Sequence, residues 1–252
     1  MSEIRLDNPQ QWRPGELQPG DGIIPELVIV PPGEFIMGAP ETEIDSNDSE
    51  RPPHPVRIDY WLAVGRYPVT QGEWLALMGN NPSVFNQAGL DHPVDNVSWD
   101  DVQRYLKTLN EQTGHQYGFR MLSESEWEYC CRAGTSTRFN TGDEITPGQA
   151  NFELSPNQST SPVGCFPPNA FGLHDMHGNV YKWVEDPWHD NYGAAPSDCR
   201  ARTMPHYQET RRVLRGGAWV SGEHALRSAA RKQSWQDFKT GFYGFRVGRT
   251  LP

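Results

Sequence analysis

The sequence predicts an irregular, loop-rich α+β domain. Three observations carry this. Glycine and proline are dense, 24 and 22 among 252 residues, well above ordinary usage. Large aromatics are abundant, with 9 Trp, 9 Tyr and 10 Phe, and their burial offsets the backbone entropy of long loops. Helical periodicity is confined to three short segments, all before Gly134.

Residues 1–22 are polar and punctuated by Pro and Gly, which predicts an extended lead-in to a single domain over 23–252. Leu27 to Val30 is an apolar run closed by Pro31-Pro32-Gly33, a strand and a turn. Phe35 to Gly38 reads as a second strand, and Val56 to Val64 alternates as a third. Between them residues 40–55 are acidic and Pro-rich, a solvated loop. Three helices share one start signal, a hydroxyl residue followed three positions later by an acid. Thr70…Glu73 opens the first, with Trp74, Leu75 and Met78 as its apolar face. Ser98…Asp101 opens the second, with Val102, Tyr105, Leu106 and Leu109 at helical spacing. Ser123…Glu126 opens the third, with Trp127 and Cys130 inward and Gly134 as the stop. Beyond Gly134 only loops and short strands are expected.

The formal net charge is −10, and no basic stripe is present, so nucleic acid is not an expected partner. No apolar run is long enough to span a bilayer, and the first residues lack the apolar core of a secretory signal. Cys130, Cys131, Cys165 and Cys199 then read as reduced thiols of a cytoplasmic protein. None has zinc spacing. His174 and His177 stand three apart, but Gly178 follows at once, which favours a structural role over a metal pair. Phosphate-loop and nucleophile-elbow motifs are absent.

The C-terminal part is the richest. Arg212 to Trp219 and Gly244 to Val247 read as strands with fixed turns, and Arg215, Arg227, Arg231 and Arg246 as buried ion-pair partners. Between them Trp235, Phe238, Phe242 and Tyr243 lie in a stretch too polar for core. An aromatic recognition surface is expected there, with at least three of the four exposed and close together.

Eight stretches in order resemble the formylglycine-generating-enzyme (sulfatase-modifying factor) domain family: Val30–Gly38, Tyr67–Gln71, Pro93–Trp99, Ser123–Gly134, Asn169–Leu173, Asp175–Val180, Leu214–Trp219 and Gly244–Val247. The resemblance implies an elaborated C-type-lectin-like fold. It also implies a copper-binding cysteine pair, which would fall at Ser221 and near Leu226. A hydroxyl is a poor Cu(I) ligand, so copper is not an expected cofactor. It implies structural calcium sites at Asn151 and Phe152, and at Asp175, Gly178 and Val180. Lys182 stands where the second site has a glutamate. No cofactor is therefore expected, with calcium the one ion left open.

The segment from Arg215 to Val247 also resembles, without gaps, the variable region of proteins diversified by retroelements. That resemblance implies a ligand-binding set of Trp219, Val220, Ser221, Gly222, His224, Ala230, Lys232, Ser234, Trp235, Phe238, Thr240, Phe242 and Tyr243, with Gly241 among the diversified positions. The leading expectation is a monomer that binds a protein or small-molecule ligand through this surface and has no catalytic residues. The alternatives are a metal-dependent oxidase or hydroxylase with non-cysteine ligands, and an accessory domain docking onto an enzyme or signalling protein.

Overall fold

A computed structural model describes residues 13–156, 158–203 and 211–252. The fold is α+β, of the elaborated C-type-lectin-like kind. A five-stranded antiparallel sheet forms its base, in the order β1 (Leu17–Gln18), β2 (Leu27–Val30), β5 (Leu62–Gly65), β11 (Val247–Thr250) and β6 (Arg120–Met121). The N- and C-terminal segments thus close one sheet. A second sheet runs β10 (Tyr243–Phe245), β7 (Tyr181–Pro187), β8 (Arg211–Arg215), β9 (Arg231–Trp235), with β10 and β7 parallel. A hairpin of β3 (Gly33–Met37) and β4 (His54–Ile58) stands apart.

The three helices begin where the hydroxyl–acid pairs place them. Each of α1 (Gln71–Met78), α2 (Trp99–Gln112) and α3 (Glu124–Arg132) carries a complete capping box, on Thr70, Ser98 and Ser123. The hydroxyl accepts the N3 amide, and the N3 acid accepts the cap's own N–H. In α2 the predicted face, Val102, Tyr105, Leu106 and Leu109, is buried. The third helix, α3, is buried along its whole length and ends on Ala133 in the left-handed region, with Gly134 next.

Four expectations change. Val56 to Val64 is two strands in different sheets, because Asp59, Tyr60 and Trp61 break the run. Leu75 is exposed, since α1 buries Gln71 and Trp74 instead. Residues 17–18 of the lead-in pair with β2 as a strand, while residues 1–12 lie outside the described residues. The acidic 40–55 loop is not wholly solvated: Glu50 is fully buried.

Two aromatic-rich clusters fill the interior. One packs Trp74, Tyr105, Trp183, Tyr243 and Phe245 between α1, α2 and the two sheets. The other packs Trp127, Tyr129, Trp188 and Tyr192 around α3 and the hairpin. No helix among the described residues is long and apolar enough to cross a membrane.

Candidate functional site on the C-terminal face

The C-terminal segment is held by arginines. Arg227 makes a two-pronged pair with Glu50 at 2.8 and 2.7 Å, and adds Glu43 at 2.7 Å and the Asp45 carbonyl at 2.8 Å. Arg231 pairs with both oxygens of Glu124, at 2.6 and 2.9 Å, and lies 4.4 Å from the ring centres of both Trp188 and Tyr192. Arg215 is fully buried and donates to Glu128 and the Ala230 carbonyl. These three are ion-pair partners, as expected. Arg246 is not: it donates to the Gly65 and His174 carbonyls. Burial alone pushes its guanidinium down to about 10.

Between Arg231 and Gly244 the chain turns over the start of α2. Gln236 accepts from the Asp100 amide at 3.3 Å, and Thr240 accepts from the Asn96 amide at 2.9 Å. Lys239 stands 3.9 Å from Asp101. The backbone under the aromatics is therefore anchored at both ends and in the middle. Trp235 is 55 % exposed and Phe238 50 % exposed. The Arg211 guanidinium lies 5.6 Å from the Trp235 ring centre. Trp219 donates from its indole to the Gly241 carbonyl at 3.2 Å and meets Phe85 edge-on at 5.5 Å.

The thirteen expected binding positions divide into three groups. Val220, His224, Trp235 and Phe238 are exposed; Trp219, Gly222, Lys232, Ser234, Thr240 and Phe242 are half-buried; Ser221, Ala230 and Tyr243 are buried. Gly241 is buried as well. The expectation of three exposed aromatics among Trp235, Phe238, Phe242 and Tyr243 is thus corrected to two. Tyr243 begins β10 in register with Tyr181, and the rings of Trp183 and Phe242 lie edge-on at 5.2 Å. That parallel strand pairing drives it into the core. Ala230 is buried between the Arg215 and Arg231 anchors.

Ser221, at the first expected copper position, is used structurally. Its Oγ accepts from the Ala218 amide at 3.1 Å and donates to the Tyr181 hydroxyl at 3.3 Å. The second position, Leu226, is a buried apolar side chain. A hydroxyl and an isobutyl group do not fit Cu(I), which takes soft sulfur ligands.

The histidine pair is structural too. His177 donates from Nδ1 to the Leu226 carbonyl at 2.6 Å and accepts from the Asn140 amide at 3.1 Å. Burial pushes it down to about 4, so it is neutral near pH 7. His174 donates to the Phe166 carbonyl at 2.8 Å.

Lys182, expected from the resemblance to replace the second-site ion, is fully buried. Its ammonium donates to the Gly178 carbonyl at 2.6 Å and the Met176 carbonyl at 3.3 Å. Asp175 instead accepts from the Gly164 amide, at 2.8 Å, and Val180 contributes no bond to Lys182. The lysine thus takes oxygens that a second-site ion would need. At Asn151 the side-chain oxygen is buried without a partner, while the Phe152 carbonyl accepts from Ser155 at 2.8 Å. Asp175 Oδ1 is likewise buried without a partner, so two unpartnered side-chain oxygens stand at the expected calcium positions, against the six to eight ligands that calcium takes. Among the described residues no three His, Cys, Asp or Glu side chains gather as a metal site.

Comparison with known proteins places this architecture. The family model for the sulfatase-modifying factor enzyme 1-like domain matches residues 16–251. The solved structure of PvdO from Pseudomonas aeruginosa is similar at a TM-score of 0.85 and 34 % identity, over 95 % of this chain and all of that one. Treponema denticola variable protein 1 shares the fold at a TM-score of 0.77 and 22 % identity, over 90 % of this chain and 95 % of that one. A serine/threonine-protein kinase, pkn1, of Chlamydia caviae is 31 % identical over 252 residues, 89 % of this chain. The chain spans only 38 % of that kinase's length. With a match that runs almost end to end, the chain belongs to the sulfatase-modifying factor enzyme 1-like, or formylglycine-generating-enzyme, domain family.

Proposed function

We propose that this chain is a recognition member of its family: a monomer that binds a protein or small-molecule ligand through the face bearing Trp235 and Phe238, without copper oxidase chemistry. One observation carries the reading. Two large aromatics are half in solvent on a backbone anchored by Asn96, Asp100 and the buried arginines. Ordering a mobile side chain on binding costs about 0.5–1.5 kcal/mol, and a mounted platform avoids that cost. Rigid aromatics with few rotatable bonds are effective anchors. The family's copper position is occupied by a serine that caps a turn, and Lys182 stands in for a calcium ion. In the Chlamydia kinases a region similar to most of this chain is part of a much longer protein, an arrangement that suits a recognition domain.

Retroelement diversification is a narrower form of this reading. Val220, Trp235 and Phe238 face solvent and would tolerate it, whereas Ser221, Ala230 and Gly241 are enclosed. A reverse transcriptase gene beside a near-copy of codons 215–247 would support it; its absence from the locus would confine recognition to one fixed surface.

The test is a random peptide library panned on the full chain. Peptides enriched on the parent should lose on the order of tenfold or more in affinity against Trp235→Ala or Phe238→Ala, while melting changes little. Enriched peptides indifferent to both substitutions, or no enrichment, would refute the reading.

A further inference from the structure

Strand β11 continues into Leu251, and its alternation puts residues 247, 249 and 251 on one face. Val247 and Leu251 belong to the buried cluster that also holds Leu27, Ile29 and Ala63. Between them stands an arginine. Arg249 pairs in register with Ala63 in the middle of the five-stranded sheet and is only 5 % exposed. Its neighbours on that face are apolar.

Among the described residues the other deeply buried arginines each have partners at their terminal nitrogens, although the Nε of Arg215 and of Arg246 makes no hydrogen bond. Arg132, Arg215, Arg227 and Arg231 have carboxylates, and Arg246 has two carbonyls. Arg249 differs from all of them. Among the described residues its guanidinium has no hydrogen bond and no ion pair, and its Nε is buried without a partner. Its one contact of note is the Tyr117 ring, 4.8 Å from the guanidinium carbon. A cation–π contact offsets only part of the cost of desolvating a charge. A buried Nε–H beside terminal N–H groups that make no hydrogen bond is the complement of an anion.

Arg249 lines a crevice whose walls are mostly apolar, Ile24, Leu27, Tyr117, Phe119 and Leu251 among them, with Gln18 as a polar wall residue. The crevice is partly open to solvent and its volume is about 20 Å³, room for about one water-sized group. Only an end group enters; the rest of an occupant must lie along the apolar mouth. A dianion such as phosphate would carry excess charge into apolar walls. A carboxylate matches the planar fork with two parallel bonds and neutralises its single charge. We infer that this crevice is a binding site for an aliphatic monocarboxylate, its carboxylate held by Arg249 and its chain laid against Ile24, Tyr117 and Phe119. The site lies on the five-stranded base sheet, whereas Trp235 ends β9 of the other sheet, and it does not depend on the recognition reading.

The test uses the full chain with sodium octanoate, followed by calorimetric titration and thermal melting. Octanoate should bind saturably at one site and raise the melting temperature. Octan-1-ol and chloride at matched concentrations should do neither. Arg249→Met should weaken octanoate binding at least tenfold while melting as high as the parent, since exchanging an unpaired buried charge for an apolar side chain removes a cost. Arg249→Lys keeps the charge but loses the fork, and should weaken binding severalfold; it serves if the methionine variant fails to fold. Failure of octanoate to saturate would overturn the inference. So would an equal response to octan-1-ol or to chloride, or undiminished octanoate binding in whichever variant folds.

Discussion

Arg227→Ala should be among the most damaging single substitutions in this protein. The guanidinium sits between Glu50, which is fully buried, and Glu43, whose side chain is 10 % exposed. It makes two bonds to Glu50, one to Glu43, and donates to the carbonyls of Asp45 and His224. Removing it leaves the Glu50 carboxylate in the interior with only the Asn47 amide, at 2.7 Å, as a side-chain partner. Breaking a buried pair from one side costs about 3–5 kcal/mol. Domains of this size are stable by only about 5–15 kcal/mol, so much of the total would go. The pair also ties residues 43–50 to the C-terminal segment, so the loss should loosen both. Urea unfolding followed by tryptophan fluorescence gives the cost directly. The double variant Arg227→Met/Glu50→Gln should recover at least about 1.5 kcal/mol relative to the sum of the single changes, because neither charge is then stranded. A loss below about 1 kcal/mol for Arg227→Ala, or strict additivity in the double variant, would show that this pair does not hold the segment.

Lys182 should make stability depend on pH. Burial pushes its ammonium down to about 7, from 10.5 in an ordinary lysine. Between those values the unfolded chain holds the proton and the folded chain has released it, so this group's contribution rises with pH through the window and is lost as pH falls through 7. The slope is at most about 1.4 kcal/mol per pH unit. Lys182→Met should therefore be most favourable relative to the parent below pH 7, with the difference shrinking by pH 10; a difference flat in pH would refute this. Gly216→Ala should cost at least about 2 kcal/mol in chemical unfolding, since Gly216 has φ +86° and an added Cβ would clash with the Met176 carbonyl. A neutral result there would mean that the turn before Trp219 can shift.

Local order was legible where its cause is local. The three helix starts rest on hydroxyl–acid pairs within four residues, and all three formed as complete capping boxes. The strand Leu27–Val30 needed only its apolar run and the prolines after it. The failures share a different cause. Glu50 looks like one more acid in a solvated loop until Arg227, far along the chain, closes on it. Tyr243 looks like a surface aromatic until its parallel pairing with Tyr181 turns it inward. The face of α1 could not be read because Gln71 is buried by partners from Phe85 and Asn81. Of the site, the framework arginines and the exposed Trp235 and Phe238 were readable. The buried Ser221, Ala230 and Tyr243 were not, because their enclosure depends on contacts between β7, β8, β9 and β10. Arg249 carries a sequence signal of its own: an arginine between Val247 and Leu251 breaks an otherwise apolar alternation.

A family fold without the family's copper chemistry is open to one direct measurement. The full chain is titrated with Cu(I) under a competing chelator and then given oxygen and a sulfatase-type cysteine peptide. With Ser221 capping a turn and Leu226 buried, no tight stoichiometric copper binding and no turnover above the enzyme-free rate are predicted. Stoichiometric Cu(I) binding with conversion of the peptide cysteine to an aldehyde would contradict the account.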